Sequence, residues 1–142
     1  MIIKLLPTQI EPYWEAIKFG AVKADQVPES LIQEYCNELL LDLLNSNLIC
    51  LISINEKREI QRFLIVGFKK TFAGTKIMVF KTLYGYVHGE EEDWIEDSSK
   101  VYEWAKAEGC KFIQTSTANS QVMTLAERLG FKRISVNYEL AL

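Results

Sequence analysis

The sequence predicts a mixed α/β domain: a mostly antiparallel sheet with one parallel strand pair in its middle and helices on both faces. Three observations carry this reading. Three β-rich runs between residues 48 and 84 are joined by short turns, as in an antiparallel meander. The period then becomes helical over residues 94–105, and a short strand pattern follows at 111–115, a strand–helix–strand passage long enough for a parallel crossover. The resulting order, β-α-α-β-β-β-α-β-α-β, places both kinds of connection in one sheet.

Residues 1–6 read as a first strand. Thr8 and Glu11 have capping-box spacing, and Pro12 suits a first helical turn, where its missing N–H would be unpaired anyway. Ile10, Trp14, Ile17 and Ala21 recur at helical spacing until Pro28 interrupts them. Residues 29–44 form a second helical pattern, with Leu31, Tyr35, Leu39 and Leu43 on one side and Ile32, Cys36 and Leu40 beside them. The nearly continuous apolar run 48–54 suits a strand covered on both faces. Strands over 60–68 and 76–84 complete the meander. Trp94, Ser98, Val101 and Ala105 align on the next helix, which Gly109 closes. Asn119 is placed to cap a short helix carrying Val122, Leu125 and Leu129 and ending at Gly130. A last strand is expected over 134–140, where Ile134, Val136, Tyr138 and Leu140 alternate with Ser135, Asn137 and Glu139.

The 142 residues fit a single domain, and a chain of that length buries enough surface to need no metal or disulfide staple. A net charge of −3 argues against a nucleic-acid partner, which calls for a basic face. No run approaches the ~18 apolar residues of a membrane span, and the apolar N-terminus is too short for a signal-peptide core, so no membrane partner and a cytoplasmic location are expected. The cysteines Cys36, Cys50 and Cys110 are odd in number and form no CxxC pair. They read as buried or half-buried thiols, with no metal ligands among them. The single histidine, His88, is expected to be a surface or hydrogen-bonding residue more than a general base.

The stretch from Asn119 through Leu129-Gly130-Phe131-Lys132 is similar to the late motif of the GNAT N-acetyltransferase superfamily, in which an Asn precedes a short helix ending in a Leu-Gly-Phe-Lys-type turn. Ala105 to Cys110 resembles the end of that family's central helix, and the element order matches over nearly the whole chain. The resemblance implies a GNAT-like acyl-CoA N-acyltransferase fold. It also implies where the family's cofactor would lie. A loop of pattern Gln/Arg-x-x-Gly-x-Gly/Ala between the strand and the central helix holds the acetyl-CoA pyrophosphate on backbone N–H groups. That loop falls near residues 87–94 here, where Gly89 is the only glycine, the basic residue is absent, and Glu90, Glu91, Glu92 and Asp93 stand in sequence.

One like-charge pair at ~5 Å costs roughly 3 kcal/mol at an effective dielectric of ~20, before salt screening. Each ~1.4 kcal/mol is a factor of ten in affinity. The acids therefore imply a degenerate loop and no conventional acetyl-CoA cofactor. The family's general-acid Tyr would fall at Ala126, which has no hydroxyl. Tyr84, Tyr138 and His88 are the remaining candidates for catalysis, and nothing in the sequence selects one.

Two functional expectations follow from the resemblance. In the first, the domain is a non-catalytic binding or structural protein with a protein partner. Tyr13-Trp14, Tyr84-Gly-Tyr86 and residues 105–110 look like a group of phage-encoded GNAT-like virion or morphogenesis proteins, which implies a virion-associated location. In the second, it is a divergent N-acyltransferase acting on a small amine. Acetyl-CoA would then be held by Leu83, Tyr84, Gly85, Gly89 and Asn119. The acids themselves, with Glu96 and Asp97, admit three readings: favourable charge at a helix N-terminus, a docking surface for a cationic partner, or a divalent-cation site.

Overall fold

The computed structural model describes residues 1–87 and 91–142, with Glu91 and Glu92 described through their backbone only. The expectations placed on His88, Gly89 and Glu90 lie outside the described residues. Strands β1 (Ile2–Lys4), β2 (Ile49–Ile54), β3 (Ile60–Lys70), β4 (Lys76–Gly85) and β5 (Phe112–Thr115) form one sheet in the order β1-β2-β3-β4-β5. The first three pairings are antiparallel and β4–β5 is parallel. Helices α1 (Trp14–Ala24), α2 (Ile32–Leu44), α3 (Glu91–Ala107) and α4 (Ser120–Arg128) complete the fold.

The sheet divides two cores. On one face Ile17, Ala21, Leu39 and Leu43 from α1 and α2 pack with Cys50, Ile52, Phe63 and Ile65. On the other, Val101 and Ala105 of α3 pack with Leu51, Leu64, Val66 and Met78. The alternation Cys50, Leu51, Ile52 across the two clusters is why β2 reads as an unbroken apolar run: each face of the strand is covered. Burial raises the Cys50 thiol to about 12, so it is an unreactive packing residue.

Helix stops fall where expected. Gly109 and Gly130 take φ of +81° and +92°, the left-handed region that ends a helix at little steric cost to glycine. The starts differ in detail. Short 3-10 helices at Pro7–Gln9, Glu11–Tyr13 and Glu29–Leu31 precede α1 and α2. At the first of these, the Leu6 N–H donates to Gln9 Oε1 at 2.8 Å, while no Thr8–Glu11 box forms.

The expected last strand is corrected. Residues 131–142 form no strand, and Ile134, Val136, Tyr138 and Leu140 are exposed. Alternation supplies one apolar face, but a strand also needs a neighbour to take its N–H and C=O groups, and among the described residues no strand pairs with this segment. The parallel β4–β5 pair consequently lies at the edge of the sheet and not in its middle.

Candidate functional site

The site is built on an irregularity in β4. Ile65 pairs with Thr82 and Val66 with Phe80, so Lys81 is an extra residue opposite no partner. A one-residue insertion flips every later side chain to the opposite face. Before it, Met78 and Phe80 face the α3 core. After it, Tyr84 and Tyr86 face α1 and α2, while Leu83 takes over the α3 side.

Pairing with β5 stops at the same place. The last pair is Phe80 with Thr115, and the Thr115 hydroxyl donates to the Phe80 carbonyl at 3.2 Å. β4 runs on to Gly85 with β3 on one side and, among the described residues, no strand on the other. Among the described residues the strand pairing therefore has a gap beside residues 81–85, at the carboxyl end of the parallel pair. Open α/β sheets bind ligands at such ends.

Three groups converge on Asp25, the residue that ends α1. Its carboxylate accepts from the Tyr35 hydroxyl and, at 3.1 Å, from the Thr82 hydroxyl, and Lys81 Nζ lies 3.7 Å away. The Lys81 ammonium also sits 5.3 Å from the centre of the Tyr35 ring. Burial first, then the hydrogen bond to Asp25 and its charge, hold the Tyr35 phenol above its usual range. Thr82, buried within the sheet, reaches Asp25 only because the bulge turns it that way.

Aromatic packing fills the space above β4. Tyr84 lies 5.0 Å from Tyr86 and 6.3 Å from both Phe19 and Phe63, measured between ring centres. Phe19 also lines an open groove of about 820 Å³ between α1 and α2, so the Tyr84 cluster and that groove share a wall. The Tyr86 hydroxyl donates to the Ala16 carbonyl. Burial first, then the neighbouring Cys50 and Tyr84, raise the Tyr86 phenol above its usual range. This packing needs Gly20: a Cβ there would come within 2.5 Å of Phe63 and 2.7 Å of Tyr84.

The central helix is fastened at both ends. Arg62 Nε lies 2.7 Å from Asp97 Oδ2, with both side chains largely buried, and the guanidinium stands 5.3 Å from the Trp94 ring centre. Trp94 in turn lies against Gly85, where a Cβ would meet it at 3.2 Å. At the other end Lys76 Nζ donates to the Glu108 carbonyl at 3.0 Å and lies 3.5 Å from its carboxylate. The acidic stretch therefore divides. Asp97 is a structural partner of Arg62, Glu96 lies 3.6 Å from Lys100 on the exposed face of α3, and Asp93 is exposed.

The expected site residues are only partly brought together. Leu83, Tyr84 and Gly85 border the gap. Asn119 lies beyond the end of β5, and its Oδ1 accepts the N–H groups of Gln121 at 2.8 Å and Val122 at 3.2 Å, making it the N-cap of α4. Tyr138 is 93% exposed on the C-terminal segment, remote in sequence from the Tyr84 cluster and unpacked. Among the described residues no group of three His, Cys, Asp or Glu could hold a metal ion, and no helix is long and apolar enough to cross a membrane. Sequence reasoning missed Asp25, Tyr35, Lys81, Thr82 and Arg62. Each acts through a neighbour distant in the chain, and none sits in a motif.

No family model and no curated protein matches the chain. Solved structures do. A predicted acetyltransferase with acetyl-CoA from Clostridium acetobutylicum is similar at a TM-score of 0.74 and 15% identity, over 99% of this chain and 95% of that one. An aminoglycoside acetyltransferase from an uncultured soil metagenomic sample matches at 0.74 and 16%, over 100% and 97%. A putative acetyl transferase from Pyrococcus furiosus matches at 0.73 and 20%, over the whole of both chains. At such identities the likeness speaks of backbone alone, and in backbone this chain has the fold of the GNAT acetyltransferases.

Proposed function

We propose that this chain is a binding or structural protein built on the acetyltransferase fold, without conventional acetyl-CoA chemistry. The observation that carries the reading is the sequence at the head of α3. Glu90, Glu91, Glu92 and Asp93 follow the end of β4, and α3 begins at Glu91. A helix start presents unpaired N–H groups and a positive dipole end, the usual seat of a bound phosphate. In the sequence four acids stand at that position, and no basic residue stands among them. These residues do not fit a pyrophosphate, and Ala126 on α4 offers no hydroxyl to a leaving thiolate. The partner is expected to be another protein, in keeping with the resemblance to phage-encoded virion and morphogenesis components.

Thermal unfolding with millimolar acetyl-CoA, and separately with CoA, tests this reading. No change in Tm is expected. A ligand at 100 times its Kd adds about 2.7 kcal/mol of stability, and a Tm rise of that order would overturn it.

A second reading, a divergent N-acyltransferase acting on a small amine, is favoured by the gap beside Leu83, Tyr84 and Gly85 and by the acetyl-CoA in the Clostridium acetobutylicum neighbour. It requires release of free thiol from acetyl-CoA in the presence of amines, at a rate reduced in Tyr84→Phe. Absence of thiol release across a panel of amines removes it.

A further inference from the structure

One end of the sheet, away from the gap beside β4, carries a basic point with an aromatic tip. The point is the turn between β3 and β4. The Thr71 N–H donates to the Thr75 carbonyl at 3.0 Å, and the Gly74 N–H to the Thr71 carbonyl at 2.9 Å. Lys70 pairs with Lys76 across the last rung of the hairpin, and Lys69 with Ile77 across the one before. Phe72 therefore sits at the apex of the turn. It is completely exposed, so none of its apolar surface is used within the chain.

Cations gather behind it. The stretch from Lys69 to Lys76 holds three lysines and no acid. The Lys111 N–H donates to the Lys76 carbonyl at 2.9 Å, which brings a further lysine from just before β5. Lys76 is engaged, lying 3.5 Å from the Glu108 carboxylate. Lys69, Lys70 and Lys111 are exposed and, among the described residues, form no ion pair. At the other end of β4, roughly 30 Å away at ~3.3 Å per residue, the sequence runs into the acids of Glu90 to Asp97. A chain of net charge −3 thus carries opposite signs at the two ends of one strand.

The make-up of the tip decides the kind of partner. Lysine and alanine are depleted at protein–protein interfaces, where arginine, tyrosine and tryptophan supply the anchors, and residues 69–76 contain none of those three. A single-stranded nucleic acid takes a basic groove with stacking platforms along it, whereas this is one projecting turn. A ring at the apex with flexible ammonium groups one and two rungs behind matches a bilayer in depth. The ring enters the interfacial layer while the lysines stay level with anionic headgroups. The same surface repels the acids at the far end, which orients the domain.

We infer that the β3–β4 turn is a peripheral docking point for an anionic lipid surface, with Phe72 inserted and Lys69, Lys70 and Lys111 on the headgroups. Such a contact needs no spanning helix, and one ring with three cations gives weak, reversible attachment. It is independent of whether acetyl-CoA binds.

Cosedimentation of the full chain with lipid vesicles tests the inference. Binding is expected to phosphatidylcholine vesicles containing phosphatidylserine, with little to phosphatidylcholine alone, and it should weaken as salt rises. Lys69→Gln and Lys70→Gln are each expected to weaken it about five-fold, and Phe72→Ser about ten-fold. All three side chains are exposed, so thermal unfolding of the variants should match that of the native chain. Phe72→Trp reads insertion directly: brominated acyl chains should quench its emission beyond the quenching of the native tryptophans. No binding to anionic vesicles at low salt, equal binding to neutral ones, or variants at Phe72 and the lysines that bind like the native chain would each overturn the inference. So would tighter binding to a single-stranded oligonucleotide or to polyglutamate than to the vesicles, which would assign the tip to a nucleic acid or to an acidic protein.

Discussion

The two halves of this molecule are held in different ways. From β1 to β4 the strands pair antiparallel, and the interior strand β2 has five of its six residues buried, with helices over both faces. From β5 onward the sheet pairing is four residues long, α4 contains no buried residue, and the last residues are exposed. The first half is stabilised by apolar burial on two sides. The second hangs from it by a short parallel pair, a capped helix and the Phe131–Phe80 contact. The difference suggests a division of labour: the antiparallel strands provide stability, while the gap and the exposed C-terminal segment lie in the second half or at its border.

The largest expected effect comes from breaking the first half. Ile52 is completely buried, and Ile52→Ala is expected to cost about 2–5 kcal/mol in denaturant unfolding, through lost transfer energy and the cavity left behind. A cost well below that range would mean that the meander is less tightly packed than its burial implies.

Next is the strap between β3 and α3. Asp97→Ala leaves the Arg62 guanidinium without its partner in a largely buried place, and a loss of roughly 1.5–3 kcal/mol is expected. A cycle with Arg62→Met separates the pair's coupling from the two single costs. Additive losses would show that the pair does not fasten the helix.

Tyr86→Phe is expected to cost about 1 kcal/mol at neutral pH, through the lost bond to the Ala16 carbonyl. The pH dependence has a defined sign. The phenol is held above its ordinary value of 10.0 in the folded chain, so both states keep the proton below pH 10 and the contribution is whole. Above pH 10 the unfolded chain ionises first, and stability falls as pH rises through the folded value. The gap between the native chain and Tyr86→Phe should therefore narrow in alkaline urea titrations; a gap that widens would contradict the burial of that hydroxyl.

The smallest global effect is expected in the second half. Asn119→Ala removes the acceptor for the Gln121 and Val122 N–H groups and should weaken α4 by about 1 kcal/mol. Because α4 is not buried, amide exchange should speed up in that helix while the global unfolding midpoint barely moves. A shift of the global midpoint equal to that of Ile52→Ala would erase the distinction between the halves.

The legible parts of this fold were those that follow local rules. The unbroken run at β2 announced burial on both faces, Asn119 announced a cap, and Gly109 and Gly130 announced helix ends. The illegible parts depend on partners far away in the chain. Residues 76–84 carry no glycine or proline at the break, so nothing in them distinguishes a regular strand from one with an extra residue at Lys81. Arg62 and Asp97 are 35 positions apart, and Asp25 and Thr82 are 57. The 134–140 pattern predicts a strand that does not form, because a strand is a relation between two segments, and the sequence of one of them says nothing about whether the other is within reach.

The extra residue at Lys81 also bears on how this chain can change. In a regular strand, residues two apart share a face and must change in concert with one set of neighbours. Here the two ends of β4 answer to different ones. Met78 is constrained by α3, and Tyr84 by α1 and α2, although they lie six positions apart. With respect to mutation β4 is two strands laid end to end. Substitutions in one part need not be compensated in the other, and deleting Lys81 itself would join Phe80 to Thr82 in regular pairing and leave every later side chain opposite its present partner.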